Sequence, residues 1–196
     1  MRLIGLCGRS GSGKSSFCKL ALELGFKVID CDLVYNELVS KRTPCLDELE
    51  VNFGKTVIEN DSLNRKKLAP IVFSDREKLE LLNKITHKHI SNRVFEILAE
   101  YGENAFVILD APTLFESGLD NQCESVIGII APDELCISRI IKRDGITEQQ
   151  AASRLSNQLT NDFIIEHSDY IVYNETTQEA FREASQGLLV SLKEDK

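Results

Sequence analysis

Short apolar runs recur along the chain and alternate with longer segments whose apolar residues follow helical spacing. Runs of this length and composition are typical of buried strands. We predict strands at residues 3–7, 28–29, 106–109, 126–130 and 170–173. Because strands that alternate with helices form βαβ units, the pattern predicts an α/β fold with a parallel sheet.

Local capping patterns predict where several helices begin. In a capping box, a hydroxyl residue and a glutamate or glutamine three positions later bind N–H groups of the first turn. The pattern occurs at Ser74-x-x-Glu77, Thr147-x-x-Gln150 and Thr176-x-x-Glu179, and Thr43-Pro44 puts proline at a first helical position. Further helices are predicted over residues 14–24 and after Pro112.

Two segments are too long or too polar to be simple connections within the sheet. Residues 33–105 show only helical patterns and exceed what a crossover between parallel strands requires, so we predict an inserted helical subdomain. A second, shorter insertion, rich in arginine and glutamine, is predicted at residues 138–167. A chain of 196 residues with 42% hydrophobic content buries one good core, which favours a single domain.

Charge and cysteine usage narrow the classes of protein. Lysine and arginine number 23 against 31 acidic residues, and the net charge of −8 argues against a general nucleic-acid or membrane-surface protein. No signal peptide and no apolar stretch of about 18 residues is found, so we expect a soluble, cytoplasmic protein. Six scattered cysteines without a C-x-x-C pair favour free, buried thiols.

A glycine-rich loop near the amino terminus carries the first chemical signal. Gly8, Gly13, Lys14 and Ser15 match G-x-x-x-x-G-K-[ST] between a predicted strand and a predicted helix. Glycines let backbone N–H groups approach a polyphosphate, and the helix dipole adds positive charge. Lys14 can reach the β- and γ-phosphates and Ser15 can ligate magnesium, so the sequence predicts ATP with Mg²⁺.

Other nucleotide-binding classes fit less well than a small kinase. Residues 83–86 lack the aspartate of a GTPase N-K-x-D motif, Asp110 is not followed by the glycine of D-x-x-G, and no L-S-G-G-Q transporter signature occurs. Asp30 and Asp32 end the second strand, where the ligand crevice of a parallel sheet lies. Strand alternation would turn both to one side, toward an acceptor hydroxyl, while helix capping is the alternative role.

The chain resembles the dephospho-coenzyme A kinases over nearly its whole length. The motifs that carry the resemblance are, in order, the phosphate loop followed by V-I-D-x-D, Leu63-Asn64-Arg65-x-x-Leu68, Leu82-Asn83-x-Ile85-x-His87, Leu109-Asp110-Ala111-Pro112-x-Leu114-Phe115-Glu116, Arg139-x-x-x-Arg143-Asp144-Gly145, Arg154-x-x-x-Gln158 and Ser168-Asp169-Tyr170-Ile171-Val172-x-Asn174. The resemblance implies transfer of the ATP γ-phosphate to the ribose 3′-hydroxyl of dephospho-CoA. Another P-loop kinase of a nucleoside, nucleotide or related small molecule, or an ATP-hydrolysing regulatory switch, is the alternative.

The resemblance also implies an architecture. It is an α/β, three-layer P-loop kinase fold with a five-stranded parallel sheet, an inserted helical substrate-binding subdomain and a helical lid. Within the single domain 1–196, the core is expected at about 1–32, 105–137 and 168–196, the acceptor subdomain at about 33–104 and the lid at about 138–167. We expect small-molecule partners only, dephospho-CoA and ATP, with no nucleic acid and no membrane, and the pattern specifies no oligomeric state.

Site residues follow from the resemblance by position. Asp32 matches the acid proposed to accept the hydroxyl proton, and Asp110 resembles a magnesium-orienting acid, with capping of the Pro112 helix as its alternative. Arg139 and Arg143, four apart, would share a helix face and clamp the transferring phosphoryl group, unless they form a solvated basic face. Together with Lys14, Asp32 and these arginines are the expected catalytic residues. The expected nucleotide-binding residues are Gly8, Gly11, Ser12, Gly13, Lys14, Ser15, Ser16, Arg139 and Asn174, with Arg154 as a weaker candidate.

On the acceptor side, Arg65 and His87 match positions of the helical subdomain that face the substrate in the family. Packing or surface exposure is the ordinary role of a helical histidine such as His87, and His89 is predicted to lie on the surface. The family loop usually reads T-G-G-I-G-S-G-K-[ST]-T, and this chain differs from it at Cys7, Arg9, Ser10 and Ser16 while keeping the essential glycines and Lys14.

Overall fold

The structure, a computed structural model, describes residues 1–194. The chain forms two compact units. The first, here the sheet unit, comprises Met1–Ile29 and Gly102–Lys196, and the second, the helical unit, comprises Asp30–Tyr101.

A five-stranded parallel sheet organises the fold. Its strands are β1 (Arg2–Gly8), β2 (Lys27–Asp30), β5 (Phe106–Asp110), β6 (Ser125–Ile130) and β7 (Tyr170–Tyr173), in the order β2-β5-β1-β6-β7. All five strands predicted from apolar runs are confirmed, with ends within two residues. In the middle of the sheet, Leu6 of β1 lies between Asp110 of β5 and Ile127 of β6.

Alternation along β1 sends successive side chains to opposite layers of helices. Ile4 and Leu6 are fully buried in a cluster with Phe17 of α1 (Lys14–Glu23) and Leu189 of α9 (Gln178–Glu194). Gly5 faces the other side, where an added Cβ would lie 2.8 Å from a Leu114 methyl. Helices on both faces of a parallel sheet make the three-layer fold that the sequence predicts.

Three helices follow β6 in the sheet unit: α6 (Asp133–Asp144), α7 (Glu148–Ser156) and α8 (Asn161–Glu166). Cys136 and Ile140 of α6 pack on Ala151 and Leu155 of α7 in a small core of their own. Helix α8 lies close to the sheet, because a Cβ on Gly128 of β6 would come within 2.8 Å of an α8 isoleucine.

The helical unit holds α2 (Cys31–Val39), α3 (Pro44–Phe53), α4 (Arg65–Phe73) and the long α5 (Arg76–Ala99) around a separate core. The prediction of a wholly helical segment is wrong in one place. A 3-10 turn (Lys55–Val57) leads into an antiparallel hairpin of β3 (Ile58–Glu59) and β4 (Ser62–Leu63). Asn60 and Asp61 both take positive φ, which a two-residue hairpin turn requires and which these residue types tolerate.

Two of the predicted helix starts are confirmed and two are wrong by one residue. Thr147 forms its capping box, and Thr43 caps α3 ahead of Pro44. In front of α5, however, the cap is Asp75, whose carboxylate accepts from two first-turn N–H groups, while the Ser74 hydroxyl donates back to the preceding helix.

Before α9, Thr177 rather than Thr176 accepts from a first-turn amide, that of Ala180, at 3.2 Å. The helix predicted after Pro112 does not form, and residues 112–118 are turns. Among the described residues, none of the helices is long and apolar enough to cross a membrane.

Candidate active site

The phosphate loop connects β1 to α1 at the carboxyl edge of the sheet, and its shape depends on glycine. Gly11 and Gly13 have φ of 80° and 118°, in the left-handed region that other residues rarely adopt. A Cβ on Gly11 would lie 2.7 Å from the Cys136 carbonyl oxygen, and one on Gly13 would collide with the Asn174 amide. The loop therefore accepts only glycine at these two positions, of which Gly13 belongs to the G-x-x-x-x-G-K-[ST] motif.

Helix α1 starts directly from this loop. Its N-cap is Gly13, and none of the described side chains caps the helix there. The first N–H groups of a helix carry partial positive charge and lack intrahelical partners, so an uncapped start can bind an anion. The hydroxyl residues Ser15 and Ser16 are exposed in this first turn. This end of α1 is therefore suited to phosphate oxygens.

Lys14 extends across the loop. Its Nζ donates to the Gly8 carbonyl oxygen at 2.9 Å, which holds the ammonium group above the loop backbone. A compact cation in this position attracts phosphate oxygens. Ser12 is fully buried beneath the loop.

Two predicted residues from distant parts of the chain meet at the loop. Arg139 of α6 donates to the Gly11 carbonyl at 3.0 Å and to the Asn174 side-chain oxygen at 3.1 Å. Asn174, which follows β7 and is buried, donates in turn to the Ser12 carbonyl at 2.7 Å. The structure thus brings Arg139, Asn174 and the loop together, across more than a hundred residues of sequence.

The second arginine of α6 lies elsewhere. Arg143 is exposed and binds both carboxylate oxygens of Asp144, at 2.7 and 3.0 Å. Arg154 of α7 also contacts Asp144. The Arg143 hydrogen bond, aided by Arg154, lowers the pKa of Asp144 to about 2. Of the two α6 arginines expected to form one clamp, Arg139 thus contacts the phosphate loop, whereas Arg143 binds Asp144.

Asp110 is the last residue of β5, the strand next to β1, which leads into the phosphate loop. Its Oδ2 accepts a hydrogen bond from the Cys18 thiol of α1 at 3.6 Å. A carboxylate and the Ser15 hydroxyl are oxygen donors of the kind that Mg²⁺ prefers, usually together with substrate phosphates and water. Within residues 1–194, no cluster of three or more acidic, histidine or cysteine residues could hold a metal alone. The donor set thus fits an ion bound together with a nucleotide.

Asp30 and Asp32 do not share a strand side as alternation predicted, because β2 ends at Asp30 and α2 begins at the next residue. Asp30 is the N-cap of α2, and its Oδ1 accepts from the Asp32 and Leu33 amides at 2.9 and 3.0 Å. The capping alternative is confirmed for Asp30. Asp32 lies in the first turn of α2 with an exposed side chain.

The acceptor-side candidates lie in the helical unit. Arg65, at the start of α4, donates to the Asn36 side-chain oxygen at 2.5 Å, and its guanidinium lies 5.1 Å from the centre of the Tyr35 ring. Arg65 also lines a groove of about 540 Å³ between the hairpin and α2. Burial raises the pKa of the Tyr35 hydroxyl, so this ring stays neutral beside the guanidinium.

Helix α5 carries two histidines, and one of them is less exposed than predicted. His87 is half-buried. His89, predicted on the surface, has a side chain only 13% exposed, and its Nε2 lies 2.7 Å from a Glu48 oxygen. Lys88 contacts the same carboxylate at 2.5 Å, and hydrogen bonds from Lys88 and His89 lower the pKa of Glu48. The prediction for His89 failed because its partner is forty-one residues away.

Comparison with known proteins places this site in a family. Residues 2–179 match the family model described as dephospho-CoA kinase. The dephospho-CoA kinase of Fusobacterium nucleatum is 36% identical over 178 residues, covering 90% of this chain and 91% of that protein. That of Oryza sativa is also 36% identical, covering 99% and 86%.

A solved structure agrees with these matches. The dephospho-CoA kinase from Campylobacter jejuni superposes with a TM-score of 0.74 at 27% identity, covering 99% of this chain and 98% of that one. Identity above 30% across nearly the full chain, together with the family model, leaves no other assignment: the chain belongs to the dephospho-CoA kinase family.

Proposed function

We propose that this protein is an ATP-dependent kinase that phosphorylates the ribose 3′-hydroxyl of dephospho-CoA, giving coenzyme A and ADP, the last step of coenzyme A synthesis. The observation that carries the proposal is the phosphate loop, with Lys14, Arg139 and Asn174 gathered around it, in a chain of this family. A kinase needs such a donor site as well as an acceptor site, and the helical unit supplies candidates for the second.

The loop residues bind the ATP phosphates in this proposal. Backbone N–H groups at Gly11, Gly13 and the start of α1 donate to phosphate oxygens, with Ser12 and Ser16 among the residues that hold the nucleotide. Lys14 exchanges the Gly8 carbonyl for a phosphate oxygen. Because phosphoryl transfer proceeds through a loose transition state with charge on the equatorial oxygens, a positioned cation is the main help the protein can give.

Magnesium would be held by Ser15 and Asp110. The ion, when bound, neutralises charge on the β- and γ-phosphates. Cys18 donates to the Asp110 carboxylate at 3.6 Å and so orients it.

Arg139 is proposed to stabilise the transferring group. Its guanidinium already donates to Gly11 and Asn174, so its planar fork is held in place before the reaction. Arg143 is also proposed to contact the transferring phosphoryl group, and Asn174 is proposed to contact the nucleotide. Arg143 must exchange Asp144 for substrate in order to act, because Asp144 occupies its guanidinium.

The acceptor binds the helical unit in this proposal. Asp32 accepts the proton of the 3′-hydroxyl, and its backbone is held by the Asp30 cap at 2.9 Å. Arg65, held by Asn36 and Tyr35, offers positive charge to the diphosphate of the acceptor. His87 is the third proposed contact. We also propose a cytoplasmic location with no nucleic-acid partner, which the net charge of −8 and the free thiols support.

Mass spectrometry of the products tests the proposal. With ATP, Mg²⁺ and dephospho-CoA, we expect coenzyme A and ADP in equal amounts, and no coenzyme A when either substrate is left out. The 3′-deoxy analogue of dephospho-CoA should give no product but compete with the substrate. Phosphorylation of a nucleoside or nucleotide, but not of dephospho-CoA, would identify another kinase. ADP release at the same rate with and without every acceptor tested would identify an ATP-hydrolysing switch.

A further inference from the structure

The tip of the phosphate loop is held by a residue that the reaction does not use. Gln158, in the segment after α7, accepts from the Ser10 backbone N–H through its Oε1 at 2.9 Å. Its Nε2 donates to the Ser10 hydroxyl oxygen, also at 2.9 Å. One side-chain amide thus fixes both the main chain and the side chain of Ser10.

The neighbouring loop residue makes a second attachment to the same segment. Arg9 is 8% exposed, an unusual burial for an arginine. Its Nη2 donates to the Leu155 carbonyl oxygen at 2.8 Å, and its Nη1 forms an ion pair with Asp133 of α6. The loop tip is therefore joined to α6 as well as to α7.

These contacts close a ring. The Leu155 carbonyl that accepts from Arg9 also accepts from the Gln158 backbone N–H at 3.2 Å. Gln158 then returns to Ser10, the residue after Arg9. Each member of the ring holds the next, so the turn that carries Gln158 and the tip of the loop keep one relative arrangement.

Such a ring matters for a loop that contains three glycines. Ordering a residue costs backbone conformational entropy, and glycine loses the most. If the loop becomes ordered only when its ligand binds, the cost of that ordering weakens the observed affinity. The Gln158 and Arg9 contacts use the Ser10 amide and side chains at the tip, and they leave the uncapped start of α1 available for phosphate.

We propose that Gln158 and Arg9 are positioning residues for ATP, which hold the phosphate loop in its binding shape without touching the nucleotide. Arg9 and Ser10 are two of the positions at which this chain differs from the usual family loop, whereas Gln158 belongs to the Arg154-x-x-x-Gln158 motif that the chain shares with the family. The inference rests on the proposed function only in taking ATP as the ligand of the loop.

Calorimetric titration of ATP in the absence of acceptor tests the role of Gln158. In Gln158→Ala, two hydrogen bonds are lost, and we expect the Kd and the KM for ATP to rise about tenfold. The kcat should stay within about threefold, because no group that stabilises the transition state is removed. Gln149→Ala, which changes an exposed glutamine of the preceding helix α7, is the matched control and should change neither constant.

A double-mutant cycle tests whether Gln158 acts through Ser10. Ser10→Ala removes one of the two bonds and should raise the Kd for ATP about threefold. Adding it to Gln158→Ala should have no further effect, because the partner is already gone. Independent, additive effects of the two changes would overturn the proposal.

Two further results would also overturn it. One is an unchanged Kd for ATP in Gln158→Ala. The other is an equal loss of affinity for ATP and for dephospho-CoA, because general damage to the fold would then explain both. Since ATP binding is measured alone, failure of this inference and failure to form coenzyme A are separate outcomes.

Discussion

Single residues carry the chemistry of the phosphate loop. The Lys14 ammonium group lies 2.9 Å from the Gly8 carbonyl and has no part in the hydrophobic core, so its removal should leave the fold intact. Lys14→Ala should lower kcat for coenzyme A formation at least about 100-fold, because charge stabilisation of the transferring phosphate is lost. Lys142→Ala, an exposed lysine of α6, serves as the control. Near-normal turnover of Lys14→Ala would contradict the assigned role.

Asp32 is the residue on which the acceptor chemistry depends. Its side chain is exposed, and the Asp30 cap holds its backbone, so Asp32→Asn should preserve the start of α2. We expect kcat to fall by roughly 10²–10⁴ because the group that takes the hydroxyl proton is gone, while the Kd for ATP stays the same.

Steady-state kinetics and ATP titration together check this result. Asp162→Asn changes the matching position in the first turn of α8 and should leave activity unchanged. If Asp32→Asn instead weakened dephospho-CoA binding at constant kcat, Asp32 would be a binding group and not the base.

At the scale of elements, α6 holds two arginines with different surroundings. Arg139 contacts the loop and Asn174, while Arg143 binds Asp144. Arg139→Lys should lower kcat more than it weakens ATP binding, because lysine lacks the planar fork that reaches two partners at once. Arg143→Lys should lower kcat less than Arg139→Lys does.

The kcat and the Kd for ATP, measured separately for both variants, distinguish the roles. If Arg139→Lys lost ATP affinity at constant kcat, Arg139 would be a ground-state contact of the nucleotide. A larger kcat loss in Arg143→Lys would mean that Arg143 leaves Asp144 in the reacting complex.

Across the whole molecule, the cysteines are buried or half-buried and free of disulfides. Burial raises the pKa of Cys45 to about 11 and that of Cys123 to about 12, and it also raises the pKa of Cys7. Because the thiolate is the reactive form, the native protein should react slowly with a thiol-exchange reagent at neutral pH.

Absorbance measured after mixing with such a reagent checks this expectation. In guanidinium chloride all six thiols of the chain should react at once, which is the matched control for reagent and protein concentration. Fast reaction of one equivalent in the native state would identify an accessible thiol and contradict the burial of these side chains.

Local signals account for what could be predicted. Apolar runs marked all five strands of the sheet, and the spacing of Gly8, Gly13 and Lys14 marked the loop, because strand periodicity and left-handed glycines depend on neighbouring residues alone. The hairpin at Asn60 and Asp61 was missed, although two residues that tolerate positive φ stand side by side there. That signal was present but weak beside the helical patterns around it.

The sequence by itself determined the α/β class, the phosphate loop and the family, since each follows from the order of residues along the chain. Only the tertiary structure decided which side chains meet: Arg139 with Asn174, Arg154 with Asp144, and Gln158 with Ser10. The Gln158 contact spans 148 residues. The physical reason is that side-chain hydrogen bonds depend on distances that the packing of helices on the sheet sets, and no pattern of neighbouring residues encodes those distances.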